Sequence, residues 1–208
     1  MRKSWLPIPL ILLTPLVLLV LVVAAGVYRF SLSDEQILSK FPAQPLKADP
    51  IVARLFDLHV TTPLTIPVPE TVSFALLDRW DETQRWVMGD YDSGSERGQV
   101  ALDTHSLVAV KGQEQRRGYA GIIRVSNQGS GVMSYLALFQ YDELRLRMVM
   151  VSSEWLGDRV EIQSVTQENA QLNVSLLTHE AGEAFANTPT KFVSILFLIS
   201  QKYQLIQQ

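Results

Sequence analysis

Two aspartates at alternate positions of a glycine- and serine-rich stretch are the residues best suited to bind a cation. Asp90 and Asp92 lie within residues 88–97, MGDYDSGSER. Calcium prefers several oxygen ligands, which such loops supply at alternate positions. A full loop needs a third acid where this chain has Gly94, and a glycine where it has Ser95. Two interpretations follow: a weak calcium site, or a hairpin turn whose carboxylates accept hydrogen bonds from backbone N–H groups.

Residues that could carry out catalysis are few or poorly spaced. Histidine occurs at His59, His105 and His179. None has another at i+4, the spacing of a zinc helix, and the chain has no cysteine. Ser130 lies between two glycines but outside any G-x-S-x-G pattern, and Asp158 and Arg159 are typical of a turn with a surface ion pair. We therefore predict no enzyme: no catalytic residue, no cofactor and no metal ligand.

Aromatic side chains offer another possible binding surface. The candidates are Trp80, Trp86, Trp155, Tyr135 and Phe139. They could line a pocket for a sugar or a lipid, or they could pack in the core and at strand edges, where most aromatic area is buried. The sequence favours the core.

The first 28 residues have the composition of a membrane segment. No charged residue occurs between Lys3 and Arg29, and Leu10–Val27 is almost wholly apolar. These 18 residues span about 27 Å as a helix, close to the thickness of the hydrocarbon core. The segment predicts a retained single-pass anchor. The alternative is a cleaved signal peptide ending at the small residues 24–26, although signal cores are usually shorter.

Charge indicates where the rest of the chain lies. Arg2 and Lys3 favour a cytoplasmic N-terminus, which places the C-terminal bulk outside the cytoplasm, in a periplasm for a bacterial source. Three of the 18 basic residues flank the anchor and all 21 acidic residues lie beyond it, so the exported part has a net charge of −6. A domain of that sign has no electrostatic surface for nucleic acid, and we predict none as a partner.

Residues 29–70 predict a stalk and an irregular wrapping segment. Ser33 opens an S-x-x-Q capping box, and Pro42 ends the short helix that follows. Pro50 and the prolines at 63, 67 and 69 keep the next stretch extended but irregular. Three of them in residues 62–69, TPLTIPVP, exclude a central strand because proline donates no ladder hydrogen bond.

Residues 71–208 predict an all-β domain. We expect strands over residues 72–77, 86–88, 100–102, 107–110, 119–125, 132–141, 145–151, 159–165, 172–177 and 192–199. Turn-like stretches separate them, and no long helical pattern intervenes. This spacing favours an antiparallel sandwich or a partly closed barrel, preceded by one transmembrane helix and a short helical stalk.

Four segments of this domain resemble, in order, a group of uncharacterised bacterial envelope domains. The segments are DYD with QVAL (residues 90–102), GSGVMSYLALF (129–139), LGDRVEI (156–162) and GEAF to PT (182–190). They are similar to the group's GDLDGDG…AVVL, GSGxFxYLAxF, LGDRVxI and GEPM…PT patterns. The resemblance implies an exported β-domain, anchored or secreted, without a known activity. Gly94 and Ser95 depart from the group's loop, as does the lack of a proline after Glu183.

These observations together predict a membrane-anchored, non-catalytic envelope domain that acts as a binding or accessory module for another envelope protein. A sandwich presents recognition loops at its ends, here residues 90–98, 111–118 and 179–190. Two alternatives stay open. One is a β-barrel that binds a hydrophobic ligand or lipid, and the other is a weakly calcium-stabilised module that uses Asp90 and Asp92.

Overall fold

The protein forms two compact units, Met1–Leu46 and Lys47–Gln208. The computed structural model describes residues 10–31, 47–110 and 117–208. The elements are α1 (Leu10–Ser31), α2 (Pro50–Phe56), β1 (Thr65–Pro67), β2 (Phe74–Leu76), β3 (Arg79–Trp80), β4 (Trp86–Asp92), β5 (Arg97–Val110), β6 (Gly118–Asn127), β7 (Val132–Asp142), β8 (Arg147–Asp158), β9 (Glu161–Glu168), β10 (Gln171–Thr178), β11 (Lys191–Ile199) and β12 (Leu205–Gln207).

The first unit contains the apolar helix α1, which continues past the predicted end at Val27 to Ser31. Residues 13–31 have a mean hydropathy of 2.1 and are long enough to cross a membrane, although a signal sequence meets the same criteria. The predicted helix is confirmed. The predicted stalk helix that begins at Ser33 lies outside the described residues.

A six-stranded antiparallel sheet forms the centre of the second unit. Its strands follow chain order, β3-β4-β5-β6-β7-β8, so each pairs with its neighbour in sequence. In β7, the six successive residues 134–139 are all buried. Since successive side chains of a strand point to opposite faces, this run shows that both faces of the sheet are covered.

One face is covered by the N-terminal part of the unit. Helix α2, residues 58–68 and the β1–β2 hairpin pack against apolar side chains such as Ile123 and Phe139. The expectation of an extended segment after Pro50 is wrong, because Asp49 caps a short helix there. The Asp49 carboxylate accepts from the N–H groups of Ile51 (3.0 Å) and Val52 (2.8 Å), and Pro50 occupies a first-turn position.

The other face is covered by a second antiparallel sheet of order β12-β11-β10-β9. Its inward residues, among them Leu172, Val174 and Phe197, pack on Ile122 and Leu136 of the central sheet. The predicted all-β sandwich preceded by an apolar helix is confirmed, and the sheets do not close into a barrel. The alternative of a ligand-binding β-barrel requires a closed barrel with an interior cavity, and this arrangement of sheets does not form one.

Two predicted boundaries are wrong in ways that matter for the site. Strand β4 continues to Asp92, so Asp90 and Asp92 belong to a strand and not to a long turn. The two strands predicted at residues 100–102 and 107–110 are one strand, β5, whose register with β6 shifts between Asp103 and Val108. Such a bulge changes the direction of the side chains beside it.

Candidate functional site

An arginine–tryptophan cluster, consisting of Arg85, Trp86, Asp103 and Arg124, lies on the central sheet. Trp86 of β4 is paired with Asp103 of β5, and Arg124 of β6 is paired with Ala101, two residues from Asp103. Paired residues of antiparallel strands, and residues two apart on one strand, point to the same face. The cluster therefore occupies the face that carries β9–β12 further along the sheet.

Asp103 is the buried acid of the cluster, with only 3% of its side chain exposed. Arg85 donates to it from Nη2 (2.7 Å to Oδ2) and from Nε (3.2 Å to Oδ1). The backbone N–H of His105 donates to Oδ1 at 3.1 Å. A buried charge needs such partners, and Asp103 is fully engaged by them.

The bulge in β5 holds this arrangement in place through Ser106. Its hydroxyl donates to the carbonyl oxygen of Asp103 (2.7 Å) and accepts from the N–H of Ile122 in β6 (2.8 Å). The serine side chain thus substitutes for a ladder hydrogen bond where the register shifts. These two hydrogen bonds of Ser106 hold the backbone at Asp103 in place, and Asp103 in turn holds Arg85 through their ion pair.

Arg124 is the unusual member of the cluster because it lacks an acidic partner. Its Cζ lies 4.4 Å from the ring centroid of Trp86, within cation–π range. Among residues 47–110 and 117–208, no acceptor bonds its guanidinium; Nε is buried, and the side chain as a whole is half-buried. Burial lowers the pKa of Arg124, and the negative charge of Asp103 opposes that shift.

Ser134 lies directly opposite Arg124 in the register of β6 and β7. Its side chain is wholly buried, and its Oγ has no hydrogen-bond partner in the described part of the chain. Two neighbouring strands therefore each present a buried polar atom without a partner, Arg124 Nε and Ser134 Oγ. Such atoms are uncommon in folded proteins and cost stability.

The four residues of the cluster carry a net positive charge although the exported part is acidic. Two guanidinium groups face one bound carboxylate, and Trp86 lies close to both, with Arg85 Cζ 5.4 Å from its centroid. Glu161 at the start of β9 is near enough to raise the pKa of Arg124, but it forms no ion pair with it. The arrangement can hold an anionic or strongly accepting group against a flat aromatic surface.

The predicted cation ligands, Asp90 and Asp92, are both held by arginine. Asp90 accepts from Arg79 Nη2 at 2.7 Å, and this ion pair lowers the pKa of the Asp90 carboxyl. Asp92 pairs with Arg97 Nε at 2.8 Å and accepts from the N–H of Gly94 at 2.7 Å. Within the described ranges, no group of three or more acidic or histidine side chains is placed to hold a metal ion. Asp92 thus closes the β4–β5 hairpin, whereas Asp90 lies on β4 and joins it to Arg79 of β3.

Three of the four segments that carry the envelope-domain resemblance meet in space. Arg159 donates from Nε to the carbonyl oxygen of Ser130 at 2.9 Å and lies 5.3 Å from the ring centroid of Phe185. Asp158 accepts from the N–H of Val132 at 2.7 Å. Three loops distant in sequence are thus tied together, and the predicted Asp158–Arg159 ion pair is a long contact of 3.9 Å.

The predicted aromatic candidates do not line one pocket. Tyr135 and Phe139 belong to the core on the face opposite to Trp86, and Trp80 packs against that same core. Trp155 is 56% exposed at the edge strand β8. Of the five aromatics, only Trp86 takes part in the cluster.

The histidines serve local structure or line an open groove. His59 borders a groove of about 490 Å³ together with Arg117, Tyr141 and Glu143. His179 Nε2 bonds the carbonyl oxygen of Asn187 at 3.0 Å, and His105 contributes its backbone N–H to Asp103. The predicted loop 111–118 lies largely outside the described residues.

Asp103 and Arg124 are the residues of this candidate site that sequence reasoning missed. Each interrupts an apolar strand, in Val100–Asp103 (VALD) and in Ile122–Val125 (IIRV). A lone charge at an inward position is a signal, because burial of a charge is costly unless it is paired. Comparison with family models, with curated proteins and with solved structures found no match to this chain.

Proposed function

We propose that this chain is a single-pass, non-catalytic envelope module that binds another envelope component through the arginine–tryptophan cluster. The observation that carries the proposal is Arg124, stacked on Trp86 with no hydrogen-bond acceptor and no acidic partner among the described residues. Tryptophan and arginine are the residue types most enriched at the energetic centres of protein interfaces. A partner that offers an acceptor would recover the hydrogen bonds that Arg124 lacks.

The proposed location follows from the N-terminal helix. Residues 13–31 are long and apolar enough to cross a bilayer, and Arg2 and Lys3 favour an N-terminus on the cytoplasmic side of the inner membrane. The second unit then lies outside the cytoplasm, tethered by residues 32–46. The intact mass of the membrane-extracted protein tests retention of the anchor, since the full chain has a mass of 23.4 kDa.

The chemistry of the cluster supports a binding role over a catalytic one. Asp103 is occupied by Arg85 and by the N–H of His105, so it is not free to accept a proton from a substrate. The nearby hydroxyls of Ser106 and Ser134 are both buried, and neither is bonded to a histidine or a carboxylate that could activate it. What the cluster offers is a fixed positive, planar surface.

Crosslinking in intact membranes tests the proposal. The tagged full-length protein, its Arg124→Met variant and an Arg97→Gln control are purified after brief crosslinking and compared quantitatively. Arg97 is a suitable control because its side chain is 70% exposed and serves the hairpin at Asp92. We expect one stoichiometric partner with the wild type and the control, and its loss with Arg124→Met.

Two outcomes contradict the proposal. If none of the three proteins is recovered with a crosslinked partner, the proposal of a binding module is wrong. If Arg124→Met retains the partner at the wild-type level, binding occurs elsewhere on the domain and the cluster is not its centre.

A further inference from the structure

We infer that the group bound by the arginine–tryptophan cluster is a carboxylate, held by the terminal nitrogens of Arg124 beside the indole of Trp86. This inference rests on the proposed function and names the chemistry of the partner. It is argued from the orientation of the guanidinium, the local charge and the shape of the surface.

The orientation of Arg124 leaves one edge of its guanidinium available. Nε is buried without a hydrogen-bond partner, and the terminal nitrogens of this half-buried side chain make no hydrogen bond within the described residues. The planar group is held 4.4 Å from the Trp86 centroid. A guanidinium edge with two N–H donors in a fixed plane matches the two oxygens of a carboxylate, which it can bind through parallel hydrogen bonds.

The local charge favours a single negative charge over a double one. The charge of Arg85 is balanced by Asp103, with which it shares hydrogen bonds at 2.7 and 3.2 Å. Arg124 therefore contributes the one positive charge of the cluster that has no hydrogen-bonded acid, and the charge of Glu161 already offsets part of it. A carboxylate neutralises that charge, whereas a doubly charged phosphate would leave excess negative charge on a domain that already carries −6.

The surroundings favour a carboxylate at the end of an accessible chain. The side chain of Arg85 is 44% exposed, and Trp86 and Arg124 are half-buried, so the cluster is reached from solvent. The fit is to a glutamate or aspartate side chain, or to a C-terminal carboxylate, of an envelope protein. A free small-molecule carboxylate offers the same chemistry, and the experiment below separates the two sources.

Titration of the full-length protein in uncharged detergent micelles, at constant ionic strength, tests the inference. The readout is the indole N–H resonance of Trp86 in ¹⁵N spectra, assigned with Trp86→Phe. The probes are N-acetylglycine, a short peptide with a free C-terminal carboxylate, the same peptide amidated, inorganic phosphate and sodium chloride. Arg124→Lys and Arg124→Met are titrated beside the Arg97→Gln control.

We expect a saturable shift with N-acetylglycine and a larger affinity for the acid peptide than for its amide. Both Arg124 variants should lose about tenfold or more in affinity, the range of a hydrogen-bonded charge, while Arg97→Gln binds as the wild type does. Arg124→Lys keeps the positive charge but loses the paired N–H donors of the guanidinium. If its other indole resonances are unchanged, the fold is intact and the loss of affinity is attributed to the geometry of the donors. If the peptide with a free C-terminal carboxylate binds no better than N-acetylglycine, we assign the site to free small carboxylates.

Three results overturn the inference: no saturable shift with any carboxylate, tighter binding of phosphate than of N-acetylglycine, or equal carboxylate binding by Arg124→Lys. The crosslinking experiment separates this failure from that of the proposed function. If the partner is still lost with Arg124→Met, the proposed binding module and its site remain supported. Only the identification of the bound group as a carboxylate is then wrong.

Discussion

The ion pair between Arg85 and Asp103 should respond unequally to removal of its two members. Asp103→Ala removes the buried acid and leaves an arginine whose side chain is already 44% exposed, so the guanidinium returns to water. Arg85→Met leaves a carboxylate that is 3% exposed, with the N–H of His105 as its one remaining partner among the described residues. Arg85→Met therefore leaves a buried charge without its ion-pair partner, whereas Asp103→Ala leaves no buried charge.

The magnitudes follow from that difference. Hydrogen bonds to charged groups contribute about 1.5–3 kcal/mol, and the exposure of Arg85 argues for the lower half, so we expect Asp103→Ala to reduce the free energy of unfolding by about 2 kcal/mol. Removal of one partner from a buried pair costs about 3–5 kcal/mol, and we expect about 3 kcal/mol for Arg85→Met. The double variant should lose less than the sum, because the two changes remove the same interaction.

Urea unfolding of the full-length protein in mild detergent, followed by tryptophan fluorescence, measures these differences. A Gln99→Ala variant provides a nearby control, since Gln99 makes only a long 3.3 Å contact with Asp90. Equal losses for the two single variants, or a greater loss for Asp103→Ala, would refute the argument from burial. An additive double variant would show that the pair contributes no coupling energy.

Three further outcomes are expected. Millimolar calcium should leave the melting midpoint unchanged, because Asp90 and Asp92 are held by arginines; a rise in the midpoint would show that an ion binds the folded state. Asp49→Ala should reduce the free energy of unfolding by about 1 kcal/mol through loss of the cap of α2, whereas Asp49→Asn should retain most of it; equal losses would contradict the capping role. Burial, with the charge of Glu70, raises the pKa of Tyr135 from 10.0 to about 12, so this protonated phenol contributes stability that is complete below pH 10 and lost as the pH rises through 12. The free energy of unfolding, measured with urea between pH 9 and pH 12, should therefore decline less steeply with pH for Tyr135→Phe than for the wild type. An equal slope for the two proteins would contradict the prediction.

The strands were predictable where one face of the strand is wet or where turn residues separate it from its neighbours. β10 alternates buried and partly exposed residues, and the prediction of residues 172–177 falls within it. In β7, by contrast, residues 134–139 are buried without interruption, since the sheet is the middle layer of the unit. Alternation could not reveal that second cover. Helix α2 escaped prediction because Pro50 was interpreted as a breaker, whereas it follows the capping residue Asp49.

The arginine–tryptophan cluster could be predicted only in part. Trp86 was among the aromatic candidates, but its role depends on Arg124, which is 38 positions away and comes beside it through the registers of β4 with β5 and of β5 with β6. The register of β5 with β6 depends on the bulge after Asp103, and no residue pattern indicates that shift. The exclusion of a complete calcium loop at Gly94 and Ser95 needed only the sequence, because it depends on ligand spacing within one short segment.

The double cover of the central sheet sets an order in which the domain can be completed during synthesis. The residues that cover one face, among them Ile51, Phe56 and Ile66, precede all six strands of that sheet in the chain. Their apolar partners include Phe139 and Met148, which leave the ribosome some eighty residues later. The earliest apolar surface of the domain to be made is therefore fully covered only once β8 has emerged, and the other face of the sheet waits longer still, for β9–β12.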